Sequence, residues 1–365
     1  MSNRNVFNVS NPSHILDALW NMIAPYSDDF SNVLIFLPSR RAVRSVERMI
    51  VEKTGHAVIL PNLIPLGTGV EDSEDDDLVN DVISNQERII ILSKLLSADA
   101  NVKNISTALP LARDFIRMQD YLNNEGVDVN TINWSEIIDD KYASHFQNKA
   151  RILDILKQLP NDRLTTTQKR NDDIRAWIKK LNEYDLVVVC GSTASVPATA
   201  DLMCEIAVRE NGRIILSGQI SGRAQDFMLD TNPYNAEYKF LQRLGVDVAD
   251  VQTINVGQSE VIDVMNTAFG NTGARVDKIL DNCTLIECAR ESEEAATVAQ
   301  ITKQALNDNK SVLVITPDAA ANQRIKTEML RASVDADFSS GLSGNMTDLG
   351  RAILNLFDDT LYSAP

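Results

Sequence analysis

The sequence predicts an α/β protein built on a parallel β-sheet with helices on both faces. Three observations carry this. Short apolar runs recur along the chain, most are followed by a stretch with helical spacing, and the runs are continuous rather than alternating. A continuous run marks a strand covered on both faces, and strands that alternate with helices imply parallel pairing.

Taken in order, the expected strands are Asn5–Val9, Asn32–Leu37, Ala57–Leu60, Leu186–Cys190, Arg213–Ser217, Cys283–Cys288 and Ser311–Thr316. Each is bounded by turn or polar residues. Helices are expected over Arg40–Lys53, Ala198–Arg209, Glu291–Leu306, Ala319–Arg331 and Thr347–Phe357. Between Asn85 and Leu181 strand signals nearly vanish. Ile89, Ile90, Leu92, Leu95 and Leu96 form an apolar helical stripe, as do Leu109, Phe115, Met118 and Leu122, and Ile152, Ile155, Leu156 and Leu159. The segment from Val251 to Asn282, with Gly257, Gly270 and Gly273, has little strand character. These breaks divide the chain into a first α/β domain in two segments (1–84 and 182–275), an all-helical insertion (85–181) and the start of a second α/β domain (276–365). The last is expected to be truncated, since its residues run out before a full sheet is complete.

Composition narrows the function classes. The chain has 365 residues with 44% hydrophobic content, enough for a substantial core. No apolar run is long enough to span a bilayer and no signal-peptide pattern opens the chain, so a cytoplasmic protein without membrane association is expected. There are 35 basic and 51 acidic residues, a net charge of −16, which argues against strong autonomous DNA binding but leaves room for a local basic groove. Cys190, Cys204, Cys283 and Cys288 include no Cys-x-x-Cys pair and read as free thiols, mostly buried; His14, His56 and His145 are far apart, so no metal site is expected. The acidic run Glu71–Asp77 reads as a solvated loop. Counted from Asp72, an EF-hand would need Gly at Asp77 and Glu at Ile83.

A nucleotide-driven motor on such a sheet needs a Gly-rich phosphate loop with Lys after its first strand, and a carboxylate pair at the end of a later one. The first loop is Asn11-Pro12-Ser13-His14, with neither Gly nor Lys; Pro12 also lacks an N–H. The later strand ends in Cys190-Gly191-Ser192, with no carboxylate. The frame is that of a RecA-like (P-loop NTPase-like) fold whose chemistry is degenerate. No catalytic residue, nucleotide or other cofactor is expected. A hydrolase is disfavoured as well: Gly191–Ser195 is out of register for a nucleophile elbow, and a nucleophile needs a nearby base. A different feature is Pro38-Ser39-Arg40-Arg41 with Arg44 one turn on. Ser39 is a natural N-cap, and three arginines at a helix start suit phosphate contact. The competing expectation is a surface turn with arginines paired to acids such as Glu47. Trp20, Trp134 and Trp177 lie in helical patterns and are expected in cores.

The residues carry a resemblance. Val33–Val46 (VLIFLPSRRAVRSV), Leu60–Gly67 (LPNLIPLG), Val187–Met203 (VVVCGSTASVPATADLM), Tyr238–Val246 (YKFLQRLGV), Glu287–Ile301 (ECARESEEAATVAQI) and Val312–Asp318 (VLVITPD) occur in this order. Together they resemble the N-terminal part of the AddB subunit of AddAB helicase–nucleases, in its alphaproteobacterial form. The stretch G-S-T-x-S-x-P-A-T-A-D-L is the distinctive one. The resemblance implies an inactivated superfamily 1 helicase region, an AddA-type motor subunit as partner, and a role in resecting DNA double-strand breaks. It places Ser39, Arg40 and Arg41 in a motif for single-stranded DNA and Gly218-Gln219 in a remnant of a motif that senses nucleotide and strand. Glu291–Glu294 would open the second RecA-like domain. The family's nuclease carboxylates and iron–sulfur cysteines have no counterpart in these residues, so no DNA cleavage or iron binding is expected of them.

Overall fold

A computed structural model describes residues 5–67, 82–98, 102, 104–128, 131–132, 155–159, 162–218, 227–257, 283–338, 347, 349–353 and 355–356. The chain divides into two compact units, 1–279 and 280–365.

The first unit is α/β. Its strands are β1 (Val6–Val9), β2 (Val33–Leu37), β3 (Asn62–Pro65), β4 (Val82–Ile83), β5 (Leu164–Thr165), β6 (Leu186–Cys190), β7 (Gly212–Ile215) and β8 (Gln252–Ile254). Six form one sheet in the order β3-β2-β6-β7-β1-β8, and every pairing in it is parallel. This arrangement is compatible with a RecA-like fold. The helices are α1 (Ile15–Ile23), α2 (Arg40–Thr54), α3 (Asn85–Ser97), α4 (Ile105–Asn124), α5 (Thr166–Ala176), α6 (Pro197–Ala207) and α7 (Asn235–Leu244).

The continuous apolar runs are explained by two cores, one on each face of the sheet. Along β2, Val33, Ile35 and Leu37 face α1 and α2, where Leu19, Ile23, Val46 and Ile50 are buried. Leu34 and Phe36 point the other way, toward Leu202 and Ile206 of α6 and Leu241 of α7. On β6, Leu186, Val188 and Cys190 join the first core; Val187 and Val189 join the second. Successive side chains alternate faces, so a strand covered on both sides must be apolar at every position. The whole of β2 and β6 is buried. Trp177 lies edge-on to Phe36, with ring centroids 5.8 Å apart. Trp20 is partly buried against the α1–α2 core; Trp134 lies outside the described residues.

Three sequence expectations about this sheet need correction. The third strand is Asn62–Pro65, not Ala57–Leu60. Register decides this: Leu34 pairs with Asn62 and Leu37 with Pro65, which leaves Ile59 exposed ahead of the strand. A proline at the end of β3 is tolerated because β3 is an edge strand. At the other edge, β8 was not anticipated, because an edge strand with exposed Gln252 and Thr253 has no apolar run to betray it. The regular structure described within 85–181 is helical except for β5, which pairs in parallel with the two-residue β4. Around α3 and α4, Leu92, Leu96, Ala108, Ala112 and Ile116 form a core of their own.

The second unit has α8 (Glu291–Asn307) and α9 (Ala319–Arg331). They pack through Ala295, Ala299, Ile325 and Met329. The expected strands Cys283–Cys288 and Ser311–Thr316 are not paired into a sheet among the described residues. Leu285 is 96% exposed and Leu313 83%. Apolar runs of this kind predict strands, yet a strand exists only where a partner backbone satisfies its amides. Within the last expected helix, Thr347–Phe357, residues 349–353 and 355–356 are helical, and Phe357 lies outside the described residues.

Candidate functional site

In an all-parallel sheet every strand ends on the same edge, and ligand sites of open α/β folds form at that carboxyl edge. The tips of β1, β2, β3, β6 and β7 therefore bring the sequence motifs to one side of the molecule.

At the tip of β1 the loop Asn11–His14 is folded on itself. Pro12–His14 form a short 3-10 turn; the Asn11 side chain accepts the Ser13 N–H at 3.1 Å, and the His14 N–H goes to the Asn11 carbonyl at 2.9 Å. Ser10 ties this tip to the end of β8: its N–H donates to Ile254 O at 2.9 Å, and its hydroxyl accepts the Val256 N–H at 2.8 Å. His14 pairs with Asp17 at 2.9 Å, and Lys53 reaches the same carboxylate at 3.1 Å. These two hydrogen bonds hold the Asp17 carboxyl below its ordinary value. Gly257 lies against the His14 ring, so close that a Cβ there would fall 2.8 Å from His14 Cδ2. A phosphate loop presents its N–H groups outward to the ligand. Here the Ser13 and His14 N–H groups are taken within the turn, and Pro12 has none.

At the tip of β6, Cys190 is buried and desolvation pushes its thiol up to about 12, which disfavours the thiolate. Gly191 turns the chain with φ +75°, its N–H donating to Ile215 O at 2.9 Å. The buried Ser192 accepts the Ala194 N–H at 3.4 Å. All four cysteines are free, but only Cys190 is buried; Cys204 and Cys288 are partly exposed and Cys283 is exposed, contrary to the expectation of burial.

At the tip of β2, Ser39 caps α2 as the sequence implied, its hydroxyl accepting the Ala42 N–H at 3.2 Å. Arg40, Arg41 and Arg44 are exposed, and so is Arg48, which extends the Arg40–Arg44 row by another turn. That continuation was legible from the four-residue spacing but had not been singled out. No ion pair joins Arg44 to Glu47 among the described residues. At the end of β7, Gly218 packs so closely on Tyr234 that a Cβ would sit 2.6 Å from its ring. Gln219 lies outside the described residues, as does the acidic run Glu71–Asp77.

Two features had no sequence signal. The Glu237 side chain of α7 is buried at the end of β7 and bonded to the Ser217 hydroxyl; its Oε2 has no partner among the described residues, and desolvation raises its pKa. The second is a cleft of about 230 Å³ between the tips of β2, β3 and β6. It joins Pro38, Gly191 and Ser192, from separate motifs, to Gly67, Thr199 and Arg170.

No group of three or more His, Cys, Asp and Glu residues suited to a metal ion occurs among the described residues. No described helix is long and apolar enough to cross a membrane. No protein-family model matches the chain, and no curated protein matches it significantly.

Proposed function

We propose that this chain is the non-catalytic, helicase-like part of an AddB-type subunit of a cytoplasmic DNA double-strand-break repair helicase–nuclease. It guides a DNA strand and docks an AddA-type motor subunit, without turning over ATP.

The observation that carries this reading is the closed tip of β1. A parallel sheet with helices on both faces keeps the frame of a nucleotide motor, but the loop where the triphosphate would rest is a self-bonded turn. The carboxylate position at the tip of β6 holds an inert thiol and a glycine. A frame that retains its strand ends and loses both chemical elements is suited to holding a path for a ligand rather than to turnover. The arginines of α2, beside that edge on an otherwise acidic protein, supply phosphate contacts that depend on position and not on base identity.

Titration of labelled ATP with Mg²⁺ tests the inactive reading. No saturable binding and no hydrolysis are expected. Saturable binding that disappears on replacing Asn11–His14 with alanines would assign the chain to the nucleotide-driven class instead.

A further inference from the structure

We propose that the cleft between the tips of β2, β3 and β6 is a phosphate-binding site. It would take either the backbone phosphate of a nucleic-acid strand or a free phosphate group. Only the first of these sources rests on the DNA-guiding function proposed above.

The argument starts from α6. This helix begins at Pro197, and its N-cap, Val196, has no side chain able to accept a hydrogen bond. The first turn of a helix leaves N–H groups without intrahelical acceptors, here those of Ala198 and Thr199 since Pro197 has none, and its dipole favours an anion there. Val196 and Thr199, in that turn, both line the cleft. Thr199 is only 6% exposed, and its hydroxyl has no hydrogen-bond partner among the described residues. With no such partner, that hydroxyl is open to an acceptor placed in the cleft. Ser192, Thr193 and Ser195 add three more hydroxyls.

Charge comes from Arg170 on α5, the one charged side chain lining the cleft among the described residues. Its Nη2 donates to Asn124 Oδ1 at 2.6 Å, which fixes the guanidinium. Its Nε is buried and has no partner among the described residues. Burial lowers the guanidinium pKa, an effect opposed by the nearby Asp120 carboxylate. Two glycines let the backbones around the cleft take up their positions. A Cβ on Gly67 would lie 2.6 Å from Pro38 O, and Gly191 adopts φ +75°, which side-chain-bearing residues rarely adopt. A guanidinium, hydroxyls and helix N–H groups around one opening, with no carboxylate among the described residues of its lining, match the several acceptor oxygens of a phosphate.

Isothermal titration of the whole chain with inorganic phosphate tests this. The parent is expected to bind, with Thr199→Val and Arg170→Gln each weakening the interaction about tenfold. Arg40→Ala/Arg41→Ala is expected to leave it unchanged. Thr199→Val is nearly isosteric, so it stays informative if loss of the Asn124 contact unfolds Arg170→Gln; circular dichroism verifies its fold. No saturable binding by the parent, or equal binding by a folded Thr199→Val, overturns the proposal. A second arm adds a short oligothymidylate. Displacement of phosphate assigns the cleft to the nucleic-acid backbone. Phosphate binding without displacement upholds the anion site while removing it from the DNA path.

Discussion

The α2 arginines allow a quantitative test of the DNA-guiding function. For single strands, each phosphate neutralised by a cation steepens the fall of log K with log salt by about 0.7. Arg40 and Arg41 are both exposed at the start of α2. If both touch phosphates, Arg40→Ala/Arg41→Ala flattens the slope by about 1.4, whatever other contacts the strand makes elsewhere. Between 50 and 200 mM salt, the parent should therefore lose roughly sevenfold more affinity than the variant. Fluorescence anisotropy with labelled oligothymidylate at several salt concentrations reads this directly. Stability is not a confounder, because exposed arginine-to-alanine changes in a helix typically move it by less than about 0.5 kcal/mol. Equal slopes for parent and variant would refute the assignment, and binding too weak to detect in either would confine any DNA contact to the assembled complex.

Three further outcomes follow from the packing. Arg88 is 1% exposed and bonds Asn85, Gln119 and Asp120 at 2.7–2.8 Å, so Arg88→Met should cost about 3 kcal/mol; this is the low end for a broken buried pair, since Asp120 remains 22% exposed and can rehydrate. Urea unfolding checks it, and a loss under about 1 kcal/mol would contradict the buried-pair account. Burial raises the pKa of Glu237, so its stabilising contribution is complete below the ordinary glutamate value and is lost as pH climbs through the raised one. Glu237→Gln should therefore gain thermal stability relative to the parent as pH rises, whereas a pH-independent difference would mean that the carboxyl titrates normally. Finally, a thiol-specific reagent should label Cys283 quickly and leave Cys190 unmodified until the chain unfolds; early Cys190 labelling would show that its core opens readily.

How much was legible depended on where burial falls. The interior strands Val33–Leu37 and Leu186–Cys190 were readable because two helical layers force every position to be apolar. Edge strands face such pressure less completely, so β3 was misplaced and β8 missed. The Ser39 cap was also legible, since a capping side chain acts on neighbouring amides through local geometry. The cleft was not, because Gly67, Arg170, Gly191 and Thr199 lie up to 132 positions apart along the chain.

The sequence by itself determined the layered α/β class, the proline-bearing loop after β1 without Gly or Lys, and the helix start that carries Arg40, Arg41 and Arg44. These are properties of periodicity and of side chains within a turn of one another. Only the tertiary structure decided the strand order, the burial of Glu237 and the meeting of Arg170 with the first turn of α6. Contacts between distant segments depend on which strand lies beside which, and backbone hydrogen bonding, the same at every residue, leaves no mark of that choice in the sequence.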